Sequence, residues 1–313
     1  MLKERIVYLD GTYAPWDEAK IHMMSHSVGR GSAIFEVIGF HETATGPAVF
    51  RLDEYVARFR NSAALLEMEP PLSAADLQEA VLETIRRNGL RRGVIKMMGL
   101  YPEIAFKILP PLKRFRVAVF VFDPEGDFGE QAQAGEGSVT ACVSKWRRLD
   151  PQTIPIEAKV AANYMNGIVA RAEARNLGFD YAILLDAQGC LAEGGTESLF
   201  LVREGRLVTP SLGTILKGIT RKTLLEVAET MGIGTFAGRL DPGALQEADE
   251  IFFAATTNTL LPVRQVGDRI LKECPGPVTR RLAERMAAIT SGREAQFHHW
   301  LFGIDRKMFG GDS

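Results

Sequence analysis

Two ionisable residues in unusual surroundings are the first candidates for chemistry. Lys159 lies in the segment IPIEAKVAANY, where its immediate neighbours, apart from Glu157, are small or apolar. Desolvation disfavours the ammonium form, so burial moves the pKa of a lysine below its usual value of about 10.4 and lets the amine form a Schiff base. Taken alone, the segment is more typical of a surface lysine at the end of a strand.

The second candidate, Glu193, precedes two glycines in the segment CLAEGGTESLF, between two predicted strands. Glycine lets the backbone come close to a ligand, which the carboxylate would then face. An exposed carboxylate in a hairpin is the alternative that this short motif leaves open.

A possible phosphate site follows in the segment KGITR, residues 217–221, where a glycine-containing turn directly precedes a predicted helix. A helix N-terminus offers unpaired N–H groups and the positive end of the helix dipole, which together suit a phosphate. We expect Thr220 to be the N-cap residue whether or not an anion binds. Further donors come from the polar run 256–258 and from Arg58 on a predicted helix. Taken alone, the run 256–258 is typical of a polar turn, and Arg58 is typical of a solvated arginine.

The composition excludes several classes of function. Lys and Arg total 37 and Asp and Glu total 39, so the net charge of −2 gives no reason to expect a nucleic acid or an anionic membrane as partner. The three cysteines form no CxxC pair, and His22 and His26 lack the spacing of metal ligands. We therefore predict no metal site and no disulfide framework, and we expect a cytoplasmic location. No run approaches the roughly 20 apolar residues that span a bilayer, and no export signal is predicted.

The pattern of predicted strands and helices indicates an α+β protein with two domains, which must position these residues. Blocks of strands and helices, with helix starts near Asp53 and at Ser73, indicate a smaller N-terminal domain over residues 1–122. Residues 123–138 combine four glycines with five acidic residues and predict an interdomain linker, with a long surface loop as the alternative. Residues 139–313 are the predicted larger C-terminal domain.

In combination, the motifs resemble the class IV (fold type IV) pyridoxal-phosphate-dependent aminotransferases along nearly the whole chain. The matching segments are residues 24–26, 31, 34–36, 50–51, 58, 146–147, 153–155, 158–159, 163–164, 193–194, 197–200, 218–221 and 261–264. The resemblance is specific because the Lys, Glu-Gly and Gly-Ile-Thr-Arg elements occur in this order and spacing. It implies a two-domain α+β fold, a barrel-like sheet in the C-terminal domain, and pyridoxal 5′-phosphate as cofactor.

The resemblance also implies a role for each matching residue. Lys159 matches the lysine that forms the Schiff base with the cofactor and moves the proton. Glu193 matches the carboxylate that faces the pyridine nitrogen and keeps the ring protonated. Tyr164 matches the tyrosine that hydrogen-bonds the phenolic oxygen. The other implied cofactor contacts are the phosphate donors Arg58, Ile219, Thr220 and Thr256, and Leu216 against the ring face.

The substrate pocket departs from that of the branched-chain enzymes in this family. Arg30 and Lys96 stand where those enzymes commonly have a tyrosine and an arginine, and Gly39 replaces another arginine. We expect Arg30 and Lys96 to hold a substrate carboxylate; the alternative is that both point to solvent. Phe35 is the predicted pocket wall, and Thr257 is a further predicted substrate contact.

The resemblance implies a transaminase most similar to the branched-chain L-amino-acid enzymes, with glutamate and 2-oxoglutarate as one substrate pair. A D-amino-acid transaminase is the first alternative, because Lys217 resembles that subgroup more. An aminodeoxychorismate lyase is the second, although Val37 stands where that enzyme needs a hydroxyl group. A non-catalytic cofactor-binding protein is the third, which the presence of Lys159, Glu193 and Tyr164 disfavours. Family members are usually homodimers, so we expect at least a dimer.

Overall fold

The computed structural model describes residues 2–129 and 137–304. Among these residues, the chain divides into two compact units. Unit 1 comprises residues 2–129, 158–162 and 288–304, and unit 2 comprises residues 137–157 and 163–287. Of the predicted linker, residues 130–136 lie outside the described residues, and residues 124–128 form a helix of unit 1.

The division differs from the expected one, which had a single C-terminal domain over residues 139–313. Residues 158–162 and 288–304 belong to unit 1 instead. Two pairings account for the difference: the strand Leu301–Gly303 pairs with the strand Gly46–Phe50, and an isolated bridge joins Ile34 to Val160. Both pairings join residues far apart in sequence, so no local pattern could predict them.

Unit 1 is built on a seven-stranded antiparallel sheet. Its strands are β1 (Ile6–Leu9), β2 (Thr12–Pro15), β3 (Ile34–Thr43), β4 (Gly46–Phe50), β5 (Gly93–Leu100), β6 (Arg116–Phe122) and β16 (Leu301–Gly303), and its helices are α1 (His26–Arg30), α2 (Leu52–Leu65), α3 (Ala74–Asn88) and α4 (Pro124–Phe128). The strand order is β16-β4-β3-β5-β6-β1-β2. Helix α2 packs against β3, and α3 packs against β1 and β6.

Two helix starts in unit 1 have different causes. As predicted, α3 begins after Ser73, whose hydroxyl accepts from the Asp76 N–H (3.2 Å) while the Asp76 carboxylate accepts from the Ser73 N–H. Helix α2 begins at Leu52, close to the start expected near Asp53, but its N-cap residue is not Asp53: it is Arg51, in the left-handed conformation (φ 51°). The Arg51 N–H donates to the Trp300 carbonyl, and its guanidinium lies 3.9 Å from the Trp300 ring centroid. A tertiary contact therefore fixes this helix start.

Unit 2 contains a closed barrel. Its strands are β7 (Val139–Arg147), β8 (Tyr181–Leu185), β9 (Leu191–Gly194), β10 (Ser198–Arg203), β11 (Arg206–Pro210), β12 (Thr235–Gly238), β13 (Glu250–Ala254), β14 (Leu261–Val266) and β15 (Arg269–Ile270), and its helices are α5 (Tyr164–Asn176), α6 (Ile219–Thr230), α7 (Ala244–Glu247) and, up to residue 287, α8 (Pro277–Thr290). The pairings run β10-β13-β14-β7-β8-β9 and back to β10, which closes a ring of six strands. The predicted α+β class and barrel-like sheet are confirmed.

An apolar cluster lies on one face of the barrel strands, and all six strands contribute to it. Its members include Val139, Ile183, Leu191, Leu199, Phe253 and Val263. On β7 and β8, a second cluster with α5 contains Cys142, Ala170, Ala174, Ala182 and Leu184. This packing fixes the strand ends that carry the candidate site. Within residues 2–129 and 137–304, no helix is both long enough and apolar enough to cross a membrane.

Candidate active site

In unit 1, backbone hydrogen bonds hold Lys159 in place. Its N–H donates to Ser62 Oγ (2.9 Å), and its carbonyl accepts from the Phe35 N–H (3.0 Å). The adjacent Ala158 and Val160 are buried, the Lys159 side chain is half-buried, and its Nζ lies 4.9 Å from the Phe35 ring centroid. The backbone at position 159 is therefore held at two points, and its amine lies beside an aromatic ring.

Arg58 on α2 forms a two-point ion pair with Glu36 on β3. Its Nε donates to Oε1 (2.8 Å) and its Nη2 donates to Oε2 (2.6 Å), and Glu36 is fully buried. Glu36 was not among the site residues predicted from the sequence. A signal was present, because Glu36 alternates with the core residues Ile34 and Ile38 on one face of β3, where a charge requires a partner. The pair fixes the plane of the Arg58 guanidinium.

Lys96 lies next to Phe35 on the sheet of unit 1. It pairs with Val37 in the β3–β5 register, so its side chain shares a face with those of Val37 and Phe35. Its Nζ is 5.6 Å from the Phe35 ring centroid, which places amino groups of Lys96 and Lys159 beside the same ring. Arg30 is exposed at the end of α1, and its Nη2 donates to the Phe106 carbonyl (3.3 Å). This bond attaches Arg30 to the loop after β5.

In unit 2, Glu193 on β9 is a buried carboxylate paired with a cation. Its side chain accepts a hydrogen bond from Arg148 Nε, and Arg148 Nη1 also approaches Asn166 Oδ1 (3.5 Å). Asn166 Nδ2 donates to the Arg147 carbonyl (2.9 Å). Burial is inconsistent with an exposed hairpin carboxylate. Arg148 was not among the residues predicted from the sequence, because it lies 45 positions from Glu193 and no spacing rule relates the two.

Tyr164 is the first residue of α5 and is half-buried. This helix begins close to the glycines that follow Glu193, since a Cβ on Gly167 would lie 2.3 Å from the Gly195 carbonyl oxygen. Only glycine at position 167 permits that approach. Tyr164 and Gly167 are three positions apart and lie on the same side of the helix. The glycine contact therefore brings the Tyr164 end of α5 to the segment that carries Glu193.

The KGITR segment forms the start of α6. The helix begins at Ile219, and its N-cap residue is Gly218, so the expectation that Thr220 would be the N-cap residue was wrong. Gly218 supplies no side-chain hydrogen bond to the first turn. Leu216, which is half-buried, accepts from the Gly218 N–H through its carbonyl (2.8 Å). A helix N-terminus without a side-chain cap retains its attraction for an anion.

Arg221, the last residue of this segment, is a structural anchor. It is buried, its Nε donates to Thr209 Oγ1 (3.3 Å), and its Nη2 donates to the Pro210 carbonyl (2.8 Å). Burial lowers the pKa of Arg221, and the Glu193 carboxylate partly opposes that change. The contacts with β11 hold the first turn of α6 against the barrel.

Ser198, at the start of β10, lies next to several of the candidate site segments of unit 2. It pairs with Glu193 on β9 and with Ala254 at the end of β13, and neighbouring strands are about 4.8 Å apart. A Cβ on Gly218 would lie 2.9 Å from Ser198 Oγ. The turn directly after Ala254 contains the half-buried Thr256 and the exposed Thr257. Glu193, the N-terminus of α6 and this turn therefore lie at one end of the barrel.

Comparisons with known proteins agree on one family. The model of the class IV amino-transferases matches residues 33–266. The branched-chain-amino-acid aminotransferase of Escherichia coli (strain K12) is 32% identical over 306 residues, which cover 97% of this chain and 99% of that protein. The probable branched-chain-amino-acid aminotransferase of Aquifex aeolicus (strain VF5) is 32% identical over 302 residues, or 94% and 95% of the two chains.

Solved structures show the same similarity. The T.th. branched-chain amino acid aminotransferase complexed with N-(5′-phosphopyridoxyl)-L-glutamate has a TM-score of 0.91 and 34% identity, covering 97% of this chain and 100% of that one. The branched-chain aminotransferase from the archaeon Thermoproteus uzoniensis with norvaline has a TM-score of 0.90 and 33% identity, covering 96% and 99%. The chain belongs to the class IV aminotransferase family.

Proposed function

We propose that the protein is a pyridoxal-phosphate-dependent transaminase of branched-chain L-amino acids, with glutamate and 2-oxoglutarate as the second substrate pair. Family membership supports the reaction, and the named relatives support the substrate class. The observation that carries the proposal is that this chain combines a half-buried lysine amine beside an aromatic ring, a buried carboxylate paired with an arginine, and a helix N-terminus without a side-chain cap. Lys217 is the one residue singled out above that resembles the D-amino-acid subgroup more, whereas the named relatives are branched-chain enzymes.

The residues present fit pyridoxal 5′-phosphate. The phosphate requires cationic and N–H donors, which Arg58, the N-terminus of α6 and Thr256 would supply. The pyridine nitrogen requires a carboxylate, Glu193, and the phenolic oxygen requires a hydroxyl group, Tyr164. Leu216 would pack against the ring. When bound, the cofactor supplies an electron sink for the carbanion at the substrate Cα.

Proton transfer is the role that we assign to Lys159. Its Nζ would take the proton from the substrate Cα and deliver a proton to the C4′ atom, and the second half-reaction would reverse this transfer. Phe35, Ala158 and Val160 surround the Lys159 amine with apolar groups, and its Nζ lies beside the Phe35 ring. Glu193, paired with Arg148, would hold the proton on the ring nitrogen.

Recognition of a substrate carboxylate is the role that we assign to Lys96. Its ammonium is half-buried beside the Phe35 ring, and no acidic side chain among the described residues pairs with it. A partly desolvated cation gains most from an anion that the substrate delivers. The second carboxylate of glutamate or 2-oxoglutarate would supply it, whereas a branched side chain would contact the apolar surface of Phe35 and Val37. Arg30 and Thr257 remain predicted substrate contacts.

A screen of half-reactions tests the proposed function. Single L- and D-amino acids are mixed with the cofactor-loaded enzyme, and the loss of its visible absorbance band is followed. We expect rapid loss with L-leucine, L-isoleucine, L-valine and L-glutamate. Reaction with D-alanine or D-glutamate alone would contradict the proposal, as would pyruvate release without a 2-oxo acid acceptor.

In steady-state assays, Lys96→Gln is expected to raise the KM for 2-oxoglutarate about ten- to a hundredfold, the loss typical of one hydrogen bond to a charged group. The KM for L-leucine should change by less than about twofold, because its side chain carries no anion. Lys145→Gln, at an exposed position on β7, is the matched control. An equal rise in both KM values would argue against a specific role for Lys96.

We also propose that the protein is a cytoplasmic homodimer. Met23, Phe106, Ile108 and Leu109 form an apolar surface in which each side chain is 75% or more exposed. His26 Nε2 contacts the Ile108 carbonyl (2.8 Å) and joins the two chain segments involved. Exposed apolar surface of this kind marks an interaction site, which supports the dimer. The three free cysteines suit a reducing compartment, which supports the cytoplasmic location. Light scattering should give about twice 34.5 kDa, and a monomer mass would refute the dimer.

A further inference from the structure

A cavity of about 310 Å³ in unit 2 has no part in the proposed reaction. It lies where strands β10, β11 and β12 meet residues 240–248, and its volume is at the lower end of the range for small-molecule sites, about 300–1,000 Å³. The walls are apolar, and they consist of Leu201, Val208, Phe236, Leu240, Ala244 and Ala248. None of these residues belongs to the candidate active site.

Two glycines shape this cavity. A Cβ on Gly238 would lie 2.3 Å from Phe236 Cζ, so the absence of a side chain lets the aromatic ring turn back across β12. A Cβ on Gly234 would lie 3.4 Å from Arg206 Nε, so the Arg206 side chain runs along the backbone at that position. The glycines therefore determine where the aromatic wall and the guanidinium lie.

Three charged residues line the rim of the cavity, Arg203, Glu204 and Arg206. Glu204 and Arg206 flank Gly205 in the tight turn between β10 and β11, and both line the cavity. Among the described residues, neither of these two side chains forms a hydrogen bond or an ion pair. Arg203 also lines the cavity, but its Nη1 pairs with Glu247 Oε2 (2.6 Å). An anionic and a cationic group thus remain for a ligand.

We propose that this cavity binds a free α-amino acid with an apolar side chain, at a second site that shares no residue with the candidate active site. The ligand carboxylate pairs with Arg206, its ammonium pairs with Glu204, and its side chain contacts Val208 and Phe236. A zwitterion complements both charges, whereas a simple carboxylate or amine satisfies one of them. The choice of L-leucine as probe rests on the proposed function. L-Leucine would then be both a substrate at the active site and an effector at this second site.

The test of this site is isothermal titration calorimetry on the cofactor-loaded enzyme. Borohydride is first used to reduce the bond between Lys159 and the cofactor, because the reduced enzyme cannot turn over. We expect L-leucine to bind at one saturable site per chain with a Kd of about 1 mM or lower. Arg206→Gln and Glu204→Gln should each weaken binding at least about tenfold. The probes 4-methylpentanoate and 3-methylbutylamine, which each lack one charge, should bind at least about tenfold more weakly than L-leucine.

Arg203→Gln is the matched control, because Arg203 lines the same cavity but is already paired with Glu247. The Kd of this variant for L-leucine should stay within about twofold of the wild-type value. Absence of saturable binding, or binding that neither Glu204→Gln nor Arg206→Gln weakens, would overturn the proposal. Loading of the cofactor is checked by absorbance before the titration. Failure to load counts against the proposed function alone, and the second site is then titrated in the unloaded chain.

Discussion

Lys159→Ala is expected to lose transaminase activity by about 10³-fold or more in kcat/KM and to lose the visible absorbance band of the loaded enzyme. The variant lacks the Lys159 amine, which is proposed both to bond to the cofactor and to move the proton. Each of these roles contributes strongly to the rate. Stopped-flow absorbance and steady-state assays measure the two effects. A Lys159→Ala enzyme with turnover within about tenfold of wild type would disprove the assignment.

The fold should survive this substitution, because the structural contacts of position 159 are made by its backbone. Its N–H and carbonyl bond to Ser62 Oγ and the Phe35 N–H, and alanine retains both groups. Lys159→Arg keeps the positive charge but remains protonated at neutral pH, so it should be as inactive as the alanine variant. Activity in Lys159→Arg would show that charge alone suffices. Lys145→Ala, at an exposed position, should keep normal activity and absorbance.

Residues defined by local motifs could be predicted from the sequence. The amino-acid pattern located the start of α3 at Ser73 and the start of α6 to within one residue of Ile219. The cap residue itself was missed, because Thr220 has the preferred side chain but Gly218 has the position that the turn requires. Local sequence also could not predict β16, a strand of three residues that pairs only through tertiary structure.

The ionic partners of the site were beyond the reach of sequence patterns. Glu36 and Arg58 are 22 positions apart, and Arg148 and Glu193 are 45 apart. Burial of a charged residue indicates that it has a partner, but only the folded chain shows which residue that is. For this reason the sequence predicts groups that would touch the cofactor, whereas their ionic partners Glu36 and Arg148 were found only in the structure.

The second large effect is expected at the pair of Arg148 and Glu193, whose side chains are 11% and 9% exposed. Removing one partner of a buried ion pair leaves an uncompensated charge, which typically costs about 3–5 kcal/mol. In Arg148→Gln, the Glu193 carboxyl can avoid that cost by taking up a proton, and a neutral acid cannot stabilise a protonated pyridine nitrogen. We expect kcat to fall about 10- to 100-fold in Arg148→Gln and about 100-fold or more in Glu193→Gln.

A double-mutant cycle separates this mechanism from a general structural defect. Because Arg148 acts through Glu193, the double variant should be no slower than Glu193→Gln alone, whereas additive losses would show an independent role for Arg148. The activity of Arg148→Gln should also recover as the pH rises, since the carboxylate then regains its charge, and a misfolded site would show no such recovery. Arg147→Gln is the matched control, because this adjacent arginine is exposed and contacts Asn166 only through its carbonyl.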